Sequence, residues 1–170
     1  MMKHKSSPKD NGIMPIIFGM IYLIMSVLVR ILSGSPYEVL HKIDTSNIMP
    51  PIWIFNLLTF IFCFICGYAS GIVVSNIICK KVNGDSELYA YRGGICFVAL
   101  IFISLMWYPV LFSCEALFIS LILSILSFLL SVCTAYLWSC VCKKVTIIMT
   151  FFSLWQFYIF ITNLLLILKN

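Results

Sequence analysis

SLWQFYIFITNLL, residues Ser153 to Leu165, lies inside the last apolar run of the chain, which closes as LLLILKN. Read as a helix in lipid, the run still carries Trp155, Gln156, Tyr158, Thr162 and Asn163. Polar groups at membrane depth are costly unless a neighbouring helix or a ligand receives them. On a helix, Trp155, Ile159 and Thr162 share one stripe, and Gln156 and Asn163 share the adjacent one. Placing the run in lipid decides the fold. What meets its polar stripe decides the function.

The rest of the chain agrees with that placement. Of 170 residues, 62% are hydrophobic and 10% charged, with a mean hydropathy of +1.09. A soluble domain of this size has no interior large enough for so much apolar surface. The apolar runs are long and lack strand alternation, so helices rather than barrel strands cross the bilayer. The expectation is an all-α integral membrane protein, a single domain over residues 1–170 built as a bundle of five transmembrane helices. The spans run over residues 13–32, 52–79, 93–112, 116–142 and 145–168. Each meets the roughly 20 residues that cross about 30 Å of hydrocarbon. The polar N-terminal stretch MMKHKSSPKDNG precedes a first run too long for a signal peptide, with no A-x-A site after it, and is read as leading into a retained span. The longest loop, SGSPYEVLHKIDTSNIMPP, is expected to hold a short amphipathic helix around Tyr37 to Ile43.

The charge excess belongs to the loops, with Arg30 near the end of the first span. Lys3, Lys5, Lys9, Lys80, Lys81, Arg92, Lys143 and Lys144 fall on one side, and Arg30, Lys42 and Lys169 on the other. For a translocon-inserted protein this places the N-terminus in the cytosol. The net charge of +5 forms no basic patch interleaved with aromatics, so nucleic acid is not a partner.

Small residues mark packing faces. Cys63, Gly67, Gly71 and Ser75 recur every four residues in the second span, a stripe that admits a close helix or a homodimer contact. Ser120, Ser124, Ser127 and Ser131 make one face of the fourth span, with hydroxyls expected to bond back to their own helix. The eight cysteines are read as packing residues. Cys63/Cys66 and Cys140/Cys142 have metal-like spacings but no nearby histidine, since His4 and His41 fall outside the spans, so neither a metal nor a cofactor is expected.

Catalytic signals are missing. Asp10, Glu38, Asp44, Asp85, Glu87 and Glu115 all lie outside the depth of the spans. There is no H-E-x-x-H, P-loop or G-x-S-x-G pattern, and the chain is not read as an enzyme. Aromatic and amide residues stand out instead. Trp53 follows a double proline, Trp107 and Pro109 end the third span in LMWYPVLF, and Trp155 begins the polar stripe of the fifth. Trp53 and Trp107, near span ends, also suit an interfacial aromatic belt.

These residues resemble the TspO/MBR family, the tryptophan-rich sensory proteins, translocator proteins and peripheral-type benzodiazepine receptors. The resemblance rests on PPIW at Pro50 to Trp53, GYAS at Gly67 to Ser70, Trp107, Pro109 and Phe112 in the third span, and Trp155 followed eight residues later by Asn163. It covers roughly residues 50 to 170. The chain departs from the family pattern at Ser104 (usually Asn), at Ile48 and Thr59 (usually Trp), and at Phe151 and Phe152 (usually Pro and Tyr). The fourth span lacks the family's Asp, and Lys169 lacks the nearby Tyr of a cholesterol-recognition pattern. The chain reads as a divergent member with a less polar pocket.

The resemblance implies a receptor or carrier, with a pocket inside the five helices that takes flat hydrophobic molecules. These are tetrapyrroles, sterols and isoquinoline-type drugs. The implied ligand-binding set is Trp53, Ser104, Trp107, Trp155, Ile159, Thr162 and Asn163, with Gln156 helping to orient a polar edge. A porphyrin would be held by stacking, since no histidine sits at depth to ligate its metal. The family also implies a homodimer, and residence in the mitochondrial outer membrane of a eukaryote or the cell membrane of a bacterium. Two other classes remain: an assembly protein whose Trp155/Asn163 face is filled by helices, and a small transporter, which would want a charged or amide-rich path that the spans do not show.

Overall fold

The computed structural model describes residues 12–34, 50–79, 81–82 and 84–169. Five helices account for nearly all of them: α1 (Ile13–Leu32), α2 (Ile52–Ile78), α3 (Asp85–Phe112), α4 (Leu117–Ser139) and α5 (Lys143–Lys169). All five are long and apolar enough to cross a membrane. Lipid offers no hydrogen-bond partners, so each backbone satisfies itself as a helix. The short connections between α3 and α4 and between α4 and α5 make antiparallel neighbours. α1 packs along α2, α3 along α4, and α4 along α5, while α2–α5, α1–α3 and α2–α3 contacts complete the bundle. The amphipathic helix expected around residues 37–43 lies outside the described residues.

One boundary differs clearly from expectation. α3 begins at Asp85, two turns before Gly93. Asp85 and Glu87 sit in its first turn, where carboxylates favour the positive end of the helix dipole. The indole of Trp138 on α4 donates to Ala90 O at 3.3 Å and lies over Gly93, tying this polar stretch to the bundle. α4, in turn, stops at Ser139, and α5 starts at Lys143.

The helices are apolar all round, so the inward face is marked by small and polar residues. α4 buries Ser120, Ser124, Ser127, Ser131, Thr134 and Trp138. It turns Ile119, Ile122, Leu126 and Leu129 outward. Ser120, Ser124 and Ser131 bond back to carbonyls three residues earlier, at 2.7–2.8 Å. On α2, Gly67 and Gly71 face α1. A Cβ at Gly67 would stand 2.6 Å from Phe18 O, and one at Gly71 2.5 Å from Pro15 Cα. The α2 stripe is therefore filled within the chain, which leaves no room there for a second copy.

Candidate functional site

Two aromatic-rich cores stack along the bundle. The one nearer the C-terminal ends of α1, α3 and α5 contains Phe55, Trp107, Tyr108, Leu111, Phe112, Trp155 and Ile159. Trp155 lies at its centre, stacked on Phe62 with centroids 5.1 Å apart and on Tyr158 at 5.3 Å. Phe55 links the two tryptophans, 5.9 Å from Trp107 and 5.5 Å from Trp155. A small internal cavity of ≈ 30 Å³ lies beside these rings. Its walls come from every helix: Tyr22, Ser26 and Arg30 of α1, Thr59 and Cys63 of α2, Ser104 and Trp107 of α3, Ser124 and Ser127 of α4, and Trp155, Gln156 and Ile159 of α5.

The polar atoms on these walls are unevenly matched. Tyr22 Oη and Ser104 Oγ hydrogen-bond at 2.7 Å, joining α1 to α3. Trp107 Nε1, Trp155 Nε1 and Ser127 Oγ are buried with no hydrogen-bond partner among the described residues. An indole N–H can only donate, so two of these three groups lack an acceptor. An unmatched buried donor costs about 1–3 kcal/mol. The Gln156 amide also lines the cavity, buried.

Arg30 also lines the cavity. Its guanidinium lies 4.7 Å from the centroid of Phe60 and 4.6 Å from that of Tyr108, and it donates to Asn56 Oδ1.

Of the residues expected from sequence, Ser104, Trp107, Trp155 and Ile159 come together on this cavity. Three do not. Trp53 is 65% exposed on the outer face, because Phe55, two residues and about 200° further round the helix, takes the inward position. Thr162 is buried, but its hydroxyl bonds back to Tyr158 O at 2.9 Å. Asn163 is buried against α4, where Ser120 Oγ donates to it at 2.9 Å. Sequence reasoning missed Arg30, which it placed near the end of the first span and counted only toward orientation. The signal was present: Pro15, Gly19, Tyr22 and Ser26 are the buried residues of α1, and one further step of four reaches Arg30.

A second space, ≈ 850 Å³, is a groove between α1, α2 and α3 walled by Phe18, Val74, Ile78, Tyr91 and Ile95, with Tyr22 and Trp138 also on its walls. Its lining is almost wholly apolar, as expected of a face turned to lipid chains. Tyr22 lines both spaces.

The family model described as TspO/MBR family matches residues 13–168. No curated protein and no solved structure matches the chain.

Proposed function

The chain belongs to the TspO/MBR family, and on that premise we propose that it is a membrane receptor or carrier for a flat, apolar small molecule, a tetrapyrrole or a sterol. The ligand lies against Trp107 and Trp155, with Ser104 and Ile159 beside it. The observation that carries the reading is the pair of buried indole N–H groups, both on residues lining the cavity, that meet no acceptor among the described residues. Packing alone gives no reason to bury two such donors around one cavity. A ligand with acceptors at its edge and an aromatic body would satisfy both the donors and the rings around them. Isoquinoline-type drugs share that shape. The reading contains no catalytic step.

Pockets for molecules of this size usually measure about 300–1,000 Å³, well above the cavity here. Binding therefore requires the walls to part. The seam between α1 and α3, bridged by Tyr22 and Ser104, separates the cavity from the lateral groove and gives a route from the bilayer. The proposed setting is the cell membrane of a bacterium or the mitochondrial outer membrane of a eukaryote. A homodimer would use a face other than the α2 stripe.

A second reading, an assembly protein with no small ligand, draws on the small cavity and on the Asn163 amide already met by Ser120. Titration of the detergent-purified protein with protoporphyrin IX, followed by tryptophan fluorescence, separates the two. Saturable quenching at micromolar ligand, weakened in Trp155→Phe, supports the receptor. Linear, unsaturable quenching that ignores the substitution supports the assembly reading.

A further inference from the structure

The cavity wall carries donors that meet no acceptor among the described residues. Besides the two indole N–H groups, the Arg30 guanidinium presents five N–H bonds, and among the described residues only Asn56 receives one. The two aromatic faces against it, Phe60 and Tyr108, attract a cation but do not neutralise it. No carboxylate among the described residues pairs with it. Arginines near a helix end normally reach outward to the headgroups. Arg30 stands two residues from the end of α1, yet its guanidinium is turned between α2 and α3, onto the cavity. A charge drawn inward with no counter-ion among the described residues points to a binding site for one.

We propose that Arg30 is a specificity-determining residue and that the ligand is a carboxylic acid on a flat apolar body, so that an acidic tetrapyrrole is preferred to a neutral sterol. This rests on the receptor reading above and narrows it. The carboxylate pairs with Arg30 at the mouth, displacing the weaker contact to Asn56. A planar guanidinium receives a carboxylate through two parallel hydrogen bonds, which fixes orientation as well as adding affinity. The apolar body then reaches inward along Phe55, Trp107 and Trp155, and the indole N–H groups take acceptors deeper in the ligand. A sterol hydroxyl matches the aromatic walls but leaves the guanidinium uncompensated.

The test compares protoporphyrin IX with its dimethyl ester, which keeps the ring and removes the negative charges. Both are titrated into the detergent-purified full chain and followed by tryptophan quenching. Wild type should bind the acid about tenfold more tightly than the ester, the factor expected of one charge-assisted hydrogen-bonded contact. Arg30→Gln should remove that preference by weakening the acid and leaving the ester unchanged, and Arg30→Lys should keep part of it. Oleate competition distinguishes the source of the carboxylate: displacement of protoporphyrin by oleate at similar concentration assigns the site to acyl chains and overturns the tetrapyrrole preference. Equal wild-type affinity for acid and ester, or equal weakening of both by Arg30→Gln, overturns the role of Arg30 and leaves the receptor reading standing. Absence of saturable binding by either porphyrin overturns both. The wild-type comparison requires no substitution, so a variant that fails to fold does not remove the test.

Discussion

Ser120 Oγ shares its proton between Leu117 O at 2.8 Å and Asn163 Oδ1 at 2.9 Å, bridging α4 and α5. Asn163 Nδ2 donates to Ile159 O at 2.8 Å. Both ends of the amide are thus engaged by protein at a position only 1% exposed. Asn163→Leu and Ser120→Ala are each expected to lower unfolding stability in detergent by about 0.5–1.7 kcal/mol, the range for interhelical bonds in membranes. Porphyrin affinity should not change. An affinity loss at unaltered stability would return Asn163 to the ligand site.

Ser127 lies one helical turn from Ser124 and Ser131 on the same buried face, yet its hydroxyl has no partner among the described residues. Removing an unmatched polar group is neutral or favourable. Ser127→Ala should therefore leave the unfolding midpoint unchanged or raise it, whereas Ser120→Ala lowers it. Loss of stability in Ser127→Ala by as much as in Ser120→Ala would show that its hydroxyl has a partner in the folded protein.

Three glycines on the bundle differ in what surrounds them. Added Cβ atoms at Gly67 and Gly71 would strike the backbone of α1, while one at Gly94 meets nothing within 4 Å. Gly67→Ala and Gly71→Ala should each destabilise by about 1–3 kcal/mol, the usual consequence of overpacking. Gly94→Ala should be silent. Thermal unfolding of the three variants in one detergent checks the α1–α2 contact directly.

The four tryptophans have different surroundings. Trp138 is a structural residue, 5.1 Å from Phe97 and bonded to Ala90 O at the end of the bundle away from Trp155. Trp138→Phe is expected to cost about 0.5–1.5 kcal/mol, one hydrogen bond, while porphyrin quenching retains its affinity. Trp107→Phe should weaken porphyrin binding with a smaller change in stability. If Trp138→Phe alone abolished saturable quenching, the ligand would belong to the groove between α1, α2 and α3.

Much of the candidate site could be read before the fold was known. Trp107, Trp155, Ser104 and Ile159 were named through the family resemblance, which rests on local patterns such as Trp-x-Pro and the spacing of Trp155 to Asn163. Trp53 was misleading for a physical reason: beside a double proline, an inward and an interfacial tryptophan look alike in sequence. The α2 stripe was equally ambiguous, since small residues at steps of four accept a helix of the same chain as readily as one from another copy. Arg30 was hidden by its position, because a cation at the end of a span normally belongs to the headgroup layer.

The sequence by itself determined that five helices cross the bilayer. Lipid supplies no hydrogen bonds, so a continuous apolar run has no alternative to local backbone pairing, and contiguous residues settle it. It also determined which stripe of each helix is polar, since that follows from spacing alone. Only the tertiary structure decided what each polar group meets. Ser120 and Ser127 share a face and a chemistry, yet one lies opposite Asn163 and the other lines a cavity. Trp155 and Asn163 share a helix, yet the indole meets no acceptor among the described residues while both ends of the amide are bonded. Those outcomes depend on which side chain a neighbouring helix presents at the same depth, and that is fixed by the packing of the bundle.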